Sequence, residues 1–465
     1  MNATQISDPR RKLPAVHELL EKPVIKKIIK KYSRQEILEI IKSTLAEYRA
    51  KVVKSGQAPE IEEILFNICE TIKKTHKQDL KPVINATGII LHTGLGRAPL
   101  PKVVTEGLAE LSHCCNLQID LESGDRGRRH YRVAKLLCQI TGAEAAHIVN
   151  NNAAATLLIL TALCREKEVI ISRGQLIEIG GSYRLPDCIH QSGAKMMEVG
   201  TTNKTHLYDY ENALSEETGA IMHVHPSNYH IQGFSKQVPV DQLVKLKKQE
   251  DIIIIDDLGC GAIEDMAQWD LPHEPTAKES IAAGADLVCF SGDKLIGGPQ
   301  AGIIIGKKEL IHKLKKHPLA RMLRAGKMTD MALEKTLRLF LDRETLLNHN
   351  PTYKMLTTGE KDIADRVQKI KRKLENMELK LNFRIIKSKS AVGGGSMPTA
   401  SLPTSVLAIS SDTASADKIS YLLRDFTTPV IAYIENQEVV LDFRTILENE
   451  EQTIVAAIKY VNSKI

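Results

Sequence analysis

Seven short apolar runs recur in the middle of this chain, and stretches with helical periodicity separate them. The runs lie at 146–149, 168–172, 195–199, 219–224, 252–257, 286–290 and 301–305. Apolar runs of this length that alternate with helices are typical of strands buried on both faces of a sheet. The pattern therefore predicts an α/β fold with a mainly parallel, seven-stranded sheet that helices cover on both faces.

The same periodicity divides the 465 residues into three predicted domains. Residues 1–81 have helical spacing and form a small helical domain. Residues 82–348 form the large α/β domain, in which 82–100 has little period and is predicted to be an arm-like segment. Residues 349–465 combine an amphipathic helix with hairpin character, which predicts a small α+β domain.

Charge is distributed unevenly between these domains. Residues 1–81 contain 17 Lys and Arg against 11 Asp and Glu, whereas the remaining residues are neutral overall. An excess of positive charge in one segment favours an anionic partner, with nucleic acid as the first candidate. A solvated helical face is the alternative interpretation.

Composition also bears on the compartment. No run of 18 or more apolar residues is present and the amino terminus is polar, so neither a membrane span nor a signal peptide is expected. The eight cysteines are scattered, without a Cys-x-x-Cys pair or a histidine pair at zinc spacing. We expect reduced thiols, a cytoplasmic location and no metal site.

The last two apolar runs are joined by a polar, glycine-rich loop that carries a single lysine, Lys294. A lysine amine desolvated among apolar strands suits Schiff-base chemistry, which is how pyridoxal 5′-phosphate (PLP) is held in enzymes. Ser291 is placed to donate to a phosphate, and Gly297 and Gly298 allow close approach of the backbone. A solvated lysine in an ordinary loop is the alternative.

A second feature favours the cofactor. The run Ile-Ile-Ile-Ile-Asp-Asp at 252–257 ends in two carboxylates, where an α/β sheet presents groups to a ligand. A carboxylate here can keep the pyridine nitrogen of PLP protonated. Asp256 or Asp257 can instead cap the next turn. A strand ending in Asp, followed about forty residues later by Ser-x-x-Lys, is nevertheless an arrangement typical of PLP enzymes.

A predicted strand also runs directly into a helix at 148–156, Ile-Val-Asn-Asn-Asn-Ala-Ala-Ala-Thr. The free N–H groups and the dipole of a helix N-terminus bind anions, which suits the cofactor phosphate. Asn152, Ala153 and Ala154 are the candidate ligands. An ordinary Asn-capped helix is the alternative.

Three arginines are candidates for binding a further anion. Arg97 lies in the arm-like segment, where it can reach into a site and grip an anion bidentately. Arg321 and Arg324 are three residues apart and so share one helical face. They form either an oxyanion clamp or a solvated surface.

Several strings in this chain closely resemble the bacterial selenocysteine synthases, the L-seryl-tRNA(Sec) selenium transferases. The matching strings include Asn-Ala-Thr-Gly at 85–88, Leu-Gly-Arg-Ala-Pro-Leu at 95–100, Asn-Asn-Asn-Ala-Ala-Ala at 150–155, Gly-Thr-Thr-Asn-Lys-Thr-His at 200–206, Phe-Ser-Gly-Asp-Lys at 290–294 and Gly-Gly-Gly-Ser-Met-Pro at 393–398. The resemblance covers residues 85 to about 400. It extends towards the amino terminus through Leu-Pro-Ala-Val-His-Glu-Leu-Leu at 13–20. One local departure is Cys260, which stands where the family usually has Ser.

The resemblance implies a PLP enzyme of fold type I, assembled as a ring-shaped homodecamer built from dimers. Its reaction would convert seryl-tRNA(Sec) to selenocysteinyl-tRNA(Sec), through loss of water to a dehydroalanyl intermediate and addition of selenium from selenophosphate. The partners would be the seryl-charged selenocysteine tRNA, gripped by the basic helical domain, and selenophosphate, with no membrane and no DNA. The resemblance implies that Lys294 forms the Schiff base, that Asp257 holds the pyridine nitrogen and that Asp293 is an active-site acid. It implies that the cofactor phosphate is bound by Asn152 to Ala154 with Ser291. It also implies that the selenium donor is bound by Arg97, Arg321 and Arg324.

Two other functions stay open. A PLP-dependent lyase or dehydratase that acts on a phosphorylated amino sugar acid shares this framework, and the same arginines would bind its substrate phosphate. That enzyme would not need the basic helical domain. A non-catalytic tRNA-binding protein would keep residues 1–81 but would not need Lys294 or Asp257.

Overall fold

The chain forms two units, Met1–Pro82 and Val83–Ile465. A computed structural model describes residues 12–75, 80–111, 113–247 and 252–465. Residues 1–11 and 76–79 of the predicted helical domain lie outside the described residues, as do residue 112 and residues 248–251 of the predicted large domain.

The first unit is helical in its described part. Its helices are α1 (Val16–Glu21), α2 (Pro23–Ile29), α3 (Arg34–Ser55) and α4 (Ile61–Thr75). Apolar residues at helical spacing on α3, such as Ile37, Ile41 and Leu45, are fully buried against α1 and α4. Helix α3 ends at Ser55 and is followed by Gly56, whose φ of 74° is readily adopted by glycine. The Lys and Arg side chains at 26, 27, 30, 31 and 34 are exposed.

The second unit contains the remaining strands and helices. The strands are β1 (Ile84–Asn85), β2 (Ala145–Val149), β3 (Glu168–Ser172), β4 (Glu178–Ile179), β5 (Tyr183–Arg184), β6 (Lys195–Val199), β7 (Thr218–Val224), β8 (Ile253–Gly259), β9 (Leu287–Ser291), β10 (Gly302–Gly306), β11 (Asn382–Ala391), β12 (Ser401–Ser410), β13 (Val430–Ile431), β14 (Tyr433–Glu435) and β15 (Glu438–Asp442). The helices are α5 (Lys102–Glu110), α6 (Tyr131–Thr141), α7 (Asn152–Leu163), α8 (Leu185–Ser192), α9 (Leu207–Ala213), α10 (Val240–Val244), α11 (Ala277–Ala282), α12 (Lys308–Lys316), α13 (Pro318–Met322), α14 (Lys327–Leu339), α15 (Arg343–His349), α16 (Pro351–Thr357), α17 (Glu360–Glu375), α18 (Ala416–Asp425) and α19 (Glu451–Asn462).

Seven strands form the large sheet, in the order β2-β10-β9-β8-β7-β3-β6. Strand β10 runs antiparallel to both of its neighbours, and the other pairs are parallel. The predicted mainly parallel, seven-stranded sheet is therefore confirmed, and each predicted apolar run is one of its strands. Both faces of the sheet are buried because successive side chains alternate, as in β8, where Ile254 packs into one core and Ile253 and Ile255 into the other.

The order of the strands decides where polar groups meet. Strands β8 and β9 are parallel neighbours, with Asp257 paired to Cys289 in register. Their carboxyl ends therefore lie at the same edge of the sheet, which is where α/β proteins bind ligands. The loop after β9 folds back tightly, with the Gly298 N–H donating to the Gly292 carbonyl over 3.0 Å, before β10 returns.

The carboxy-terminal part has a separate four-stranded sheet, in the order β11-β12-β15-β14, packed with α17, α18 and α19. Strands β14 and β15 form the predicted hairpin. The preceding pair Val430–Ile431 lies outside that hairpin and pairs in parallel with β1. In the described part of the chain, no helix has both the length and the apolar character needed to cross a membrane.

Candidate active site

Lys294 lies in the loop between β9 and β10, at the carboxyl edge of the sheet, and only 8% of it is exposed. Burial lowers the pKa of its ammonium group below the ordinary value, and the nearby positive charge of Arg97 acts in the same direction. The nearby Asp257 and Asp293 act in the opposite direction. Lys294 is therefore a desolvated amine, as the loop sequence predicts.

Asp257 lies near the end of β8 and its carboxylate is held by three donors. Oδ1 accepts from the side-chain amide of Asn152 over 2.7 Å and from the Gly259 N–H over 3.1 Å, and Oδ2 accepts from the Thr156 hydroxyl over 3.1 Å. Burial raises the pKa of Asp257, and these hydrogen bonds and the charge of Lys294 lower it. Asp256, the alternative candidate, points to the opposite face, where it pairs with His223.

Helix α7 supplies the third part of the site. Asn151 caps its first turn, because the side-chain oxygen accepts the Ala154 N–H over 2.9 Å. Asn152 turns its amide towards Asp257. Ala153 and Ala154 line a cavity of about 490 Å³ beside the helix N-terminus. The structure thus brings Asn152 of the predicted phosphate cradle into direct contact with the carboxylate that would hold the pyridine ring.

The arm-like segment brings Arg97 into this site. Its guanidinium Nη1 lies 2.7 Å from Oδ2 of Asp293, the residue next to Lys294. Arg97 has a φ of 62°, an uncommon backbone conformation for a residue with a side chain. Lys294, Asp257, Asp293 and Arg97 consequently form one cluster of opposed charges around a buried amine.

Arg321 and Arg324 belong to a second, more exposed cluster. Arg321 lies in α13, and the backbone of Arg324 bridges to Val149, the last residue of β2. Partial burial, followed by the positive charges of Arg324 and Arg321, lowers the pKa of Arg129. The structure therefore joins the two predicted arginines to a third, and three neighbouring cations make this surface attractive to an anion.

The remaining predicted residues pack against the protein itself. Ser291 is the last residue of β9 and is buried. Gly297 has a φ of 69°, and a side chain there would overlap Asn350. A Cβ on Gly298 would lie 3.1 Å from the Gly292 carbonyl oxygen. The folding of the loop by itself explains why glycine occupies both positions. Contact of either glycine with a cofactor stays a prediction.

Several residues of this neighbourhood were not singled out from the sequence. Thr156 lies one helical turn after Asn152, and this spacing was a usable signal. Arg129 lies in an arginine-rich run but far from 321–324 along the chain. Gly395 comes from the glycine cluster at 393–395, and a Cβ on it would lie 2.9 Å from Lys294 Nζ. No local pattern connects that cluster to the lysine.

The site can be tested for its fit to PLP. Within the described residues, Asn152 Oδ1 and Arg97 Nε are buried without a hydrogen-bond partner, although such atoms are almost always paired in folded proteins. The buried Asp257 carboxylate suits a cationic pyridine nitrogen, and the N-terminus of α7 suits a phosphate. Together with the buried Lys294, these groups fit the cofactor, and fold and site define the class: a PLP-dependent enzyme of fold type I.

Comparison with known proteins identifies the family within that class. Residues 83–447 match the family model described as SelA: L-seryl-tRNA selenium transferase. The L-seryl-tRNA(Sec) selenium transferase of Clostridium botulinum (strain Loch Maree / Type A3) is 42% identical over 97% of this chain and 98% of its own length. That of Alkaliphilus metalliredigens (strain QYMF) is 44% identical, with the same coverage. The chain belongs to the L-seryl-tRNA selenium transferase family.

Among solved structures, D-glucosaminate-6-phosphate ammonia-lyase is similar with a TM-score of 0.55. It is 20% identical, and the match covers 84% of this chain and 98% of the lyase chain. At this level of identity the likeness concerns the fold.

Proposed function

We propose that this chain converts the seryl group of seryl-tRNA(Sec) to a selenocysteinyl group, with PLP as its cofactor. The observation that carries the proposal is the buried Lys294 beside Asp257, in a chain whose relatives are named L-seryl-tRNA(Sec) selenium transferases over almost their whole length. When bound, PLP withdraws electrons from the Cα of an attached amino acid and so makes its Cα proton acidic.

Lys294 would hold the cofactor and then serve as the base. Burial lowers the pKa of this amine, so a larger share of it is neutral near physiological pH than of an exposed lysine. In its neutral form, Nζ accepts the substrate Cα proton and can pass a proton to the departing β-hydroxyl group. Asp293 is fixed beside it by Arg97, which keeps the carboxylate oriented.

Asp257 would hold the ring nitrogen. Its two oxygens are oriented by Asn152 and Thr156, so the carboxylate is positioned before the cofactor arrives. The N–H groups of the first turn of α7, with Ser291, would bind the phosphate. These two anchors would together hold the cofactor beside Lys294.

The arginines would bind the selenium donor, which we propose is selenophosphate. Arg97 stands in the inner cluster, and Arg321 and Arg324 form the exposed cluster with Arg129. Guanidinium groups bind phosphate through paired, charge-assisted hydrogen bonds. A donor held by its phosphate would present selenium to Cβ after the hydroxyl group has left. The C–Se bond forms, and water cleaves the Se–P bond so that phosphate is released.

The basic helical unit would bind the tRNA. Its described Lys and Arg side chains between 26 and 34 are exposed, as binding to a phosphate backbone requires. The three-domain division, the assembly into a homodecamer and the cytoplasmic location stay predictions from the sequence.

The decisive experiment mixes the PLP-loaded protein with serylated selenocysteine tRNA, without a selenium donor, and measures pyruvate after hydrolysis of the ester. We expect pyruvate from the natural chain. Lys294→Ala should yield none and should lose the visible absorption of lysine-bound cofactor, whereas Lys308→Ala, which removes an exposed lysine at the opposite edge of the sheet, should behave normally. No pyruvate from seryl-tRNA, but turnover of a phosphorylated amino sugar acid, would replace the proposal with the small-molecule lyase.

A further inference from the structure

A cavity of about 780 Å³ opens at the carboxyl edge of the large sheet, near the ends of β7 and β8. It lies on the face of β8 opposite Asp257, because Asp256, the preceding residue, lines it. Its volume is in the range of small-molecule binding sites. None of the functions assigned above uses it.

Three structural links connect this cavity to Lys294. The loop whose Gly395 abuts Lys294 Nζ continues to Pro398 and Thr399, which line the cavity. Cys260 accepts the N–H of Leu295, the residue after Lys294, at its carbonyl over 3.2 Å, and its thiol donates to Glu274, which lines the cavity, over 2.8 Å.

The third link is the backbone of β8. Adjacent residues of this strand, Asp256 and Asp257, face the cavity and the cofactor site respectively. The cavity is thus linked to the reacting lysine by these three elements without being part of the cofactor site.

The walls offer buried, fixed polar groups. His223 Nδ1 lies 2.7 Å from Asp256 Oδ1, and His225 Nε2 lies 3.1 Å from Glu274 Oε1. The Asp256 and Glu274 carboxyl groups are almost fully buried. Tyr229 lines the same cavity, together with further histidines. Carboxylates accept hydrogen bonds from ribose hydroxyl groups, and Tyr and His rings stack on unpaired RNA bases.

The covalent structure of the substrate indicates which part of the tRNA must lie close to Lys294. In an aminoacyl-tRNA the ribose of the terminal nucleoside is separated from the reacting Cα only by the ester carbonyl group. When Cα is at Lys294, the terminal nucleoside must therefore fill space directly beside the lysine. We propose that this cavity binds the 3′-terminal adenosine of the tRNA, with the ribose at the Asp256 and Glu274 carboxylates and the base against the aromatic wall.

The charge of the walls favours this ligand over the selenium donor. The cavity is lined by four acidic residues, Asp241, Asp256, Glu274 and Glu279, and its lining lysine is Lys236. Such walls disfavour a selenium donor whose phosphate would sit inside the cavity, whereas an adenosine would place only its neutral base and ribose there and leave its 5′ phosphodiester outside. The inference rests on the proposed function, because it assigns a part of the same tRNA substrate.

Direct binding tests the assignment without requiring turnover. The ligand is the fluorescein-labelled trinucleotide CCA, titrated into the PLP-loaded protein and followed by anisotropy. Ala283 lines the cavity at the end of α11 and is partly exposed, whereas the neighbouring Ala282 is exposed and does not line it. Ala283→Trp fills the cavity and should weaken CCA binding at least tenfold, whereas Ala282→Trp should bind like the natural chain.

A polar substitution supplies the second test. Asp256→Asn keeps the shape of the side chain and removes its charge. We expect the affinity for CCA to fall and the KM for seryl-tRNA to rise, each roughly tenfold, which is the scale of one lost charge-assisted hydrogen bond. Glu217→Gln, at the opposite end of the same sheet, is the matched control and should change neither. Cofactor absorption and the melting temperature report whether each variant is folded.

The outcomes separate the two proposals. If the natural chain does not bind CCA, or if Ala283→Trp and Asp256→Asn bind it normally while folded, the cavity assignment is wrong. If CCA binds and is lost in these variants, but seryl-tRNA yields no pyruvate, the cavity assignment stands and the proposed reaction fails. If the variants change the oligomeric mass and leave CCA binding intact, the cavity is an interface between copies of the chain.

Discussion

Gly395→Ala should disable the enzyme by displacing Lys294. A Cβ at this position would lie 2.9 Å from Lys294 Nζ, whereas ordinary contact begins at 3.4 Å. The amine must therefore retreat by about 0.5 Å or the loop must yield. Because misplacement of a reacting group by about 1 Å can cost roughly 100-fold in rate, we expect kcat to fall about 10- to 100-fold.

The same substitution also strains the backbone. Gly395 has a φ of 87°, and an L-residue in the left-handed region costs about 1–2 kcal/mol. Gly142→Ala isolates this contribution, because Gly142 has a φ of 78° and a Cβ there would meet no atom within 4 Å. Both variants should lose similar stability in urea unfolding.

The assay is pyruvate release from seryl-tRNA at saturating substrate, with the visible absorption of lysine-bound cofactor recorded in parallel. Gly142→Ala should keep nearly full kcat, and Gly395→Ala should lose it and show altered absorption. Activity of Gly395→Ala within twofold of the natural chain would show that the loop moves instead of the lysine, and the argument from contact distance would be refuted.

Three further perturbations have defined outcomes. Thr156→Val removes a donor to the Asp257 carboxylate, so its pKa should rise and PLP, measured by equilibrium dialysis, should bind roughly tenfold more weakly. Thr161→Val in the same helix is the control, because the Thr161 hydroxyl is buried without a partner in the described structure. Arg321→Met should raise the KM for selenophosphate about tenfold, and an unchanged KM would exclude Arg321 from the donor site. Burial lowers the pKa of His147 from 6.5 to about 3, so as the pH falls below about 6.5 the unfolded chain binds a proton that the folded chain does not, and stability falls. His147→Leu should flatten this acid-side loss in urea midpoints measured against pH, and an unchanged slope would refute the assignment.

The large sheet could be predicted because its signal is local. Each strand is a short, continuous apolar run, and the run at 252–257 has to be buried on both faces wherever it lies. The antiparallel direction of β10 had a signal in the short, helix-free loop after β9, because a parallel neighbour needs a longer crossover connection. The position of β10 between β9 and β2, and the pairing of β13 with β1, could not be predicted because they join residues far apart along the chain.

The residues of the candidate site that follow strands of the large sheet could be predicted together with those strands. Lys294 and Asp257 follow apolar runs, and the carboxyl ends of neighbouring parallel strands meet at one edge, so their proximity follows from the topology. The contacts of Asn152 and Thr156 with Asp257 required knowledge of which helix packs beside β8.

By itself, the sequence determined the α/β class, the strands, the buried lysine with its carboxylate, and the charge asymmetry of the chain. These are properties of residues close together along the chain. Only the tertiary structure decided that Gly395 abuts Lys294, that Arg129 joins Arg321 and Arg324, and that a cavity lies behind Asp256. These contacts join residues roughly one hundred or more positions apart, or need the full set of walls, because shape and distance arise from packing and not from local pattern.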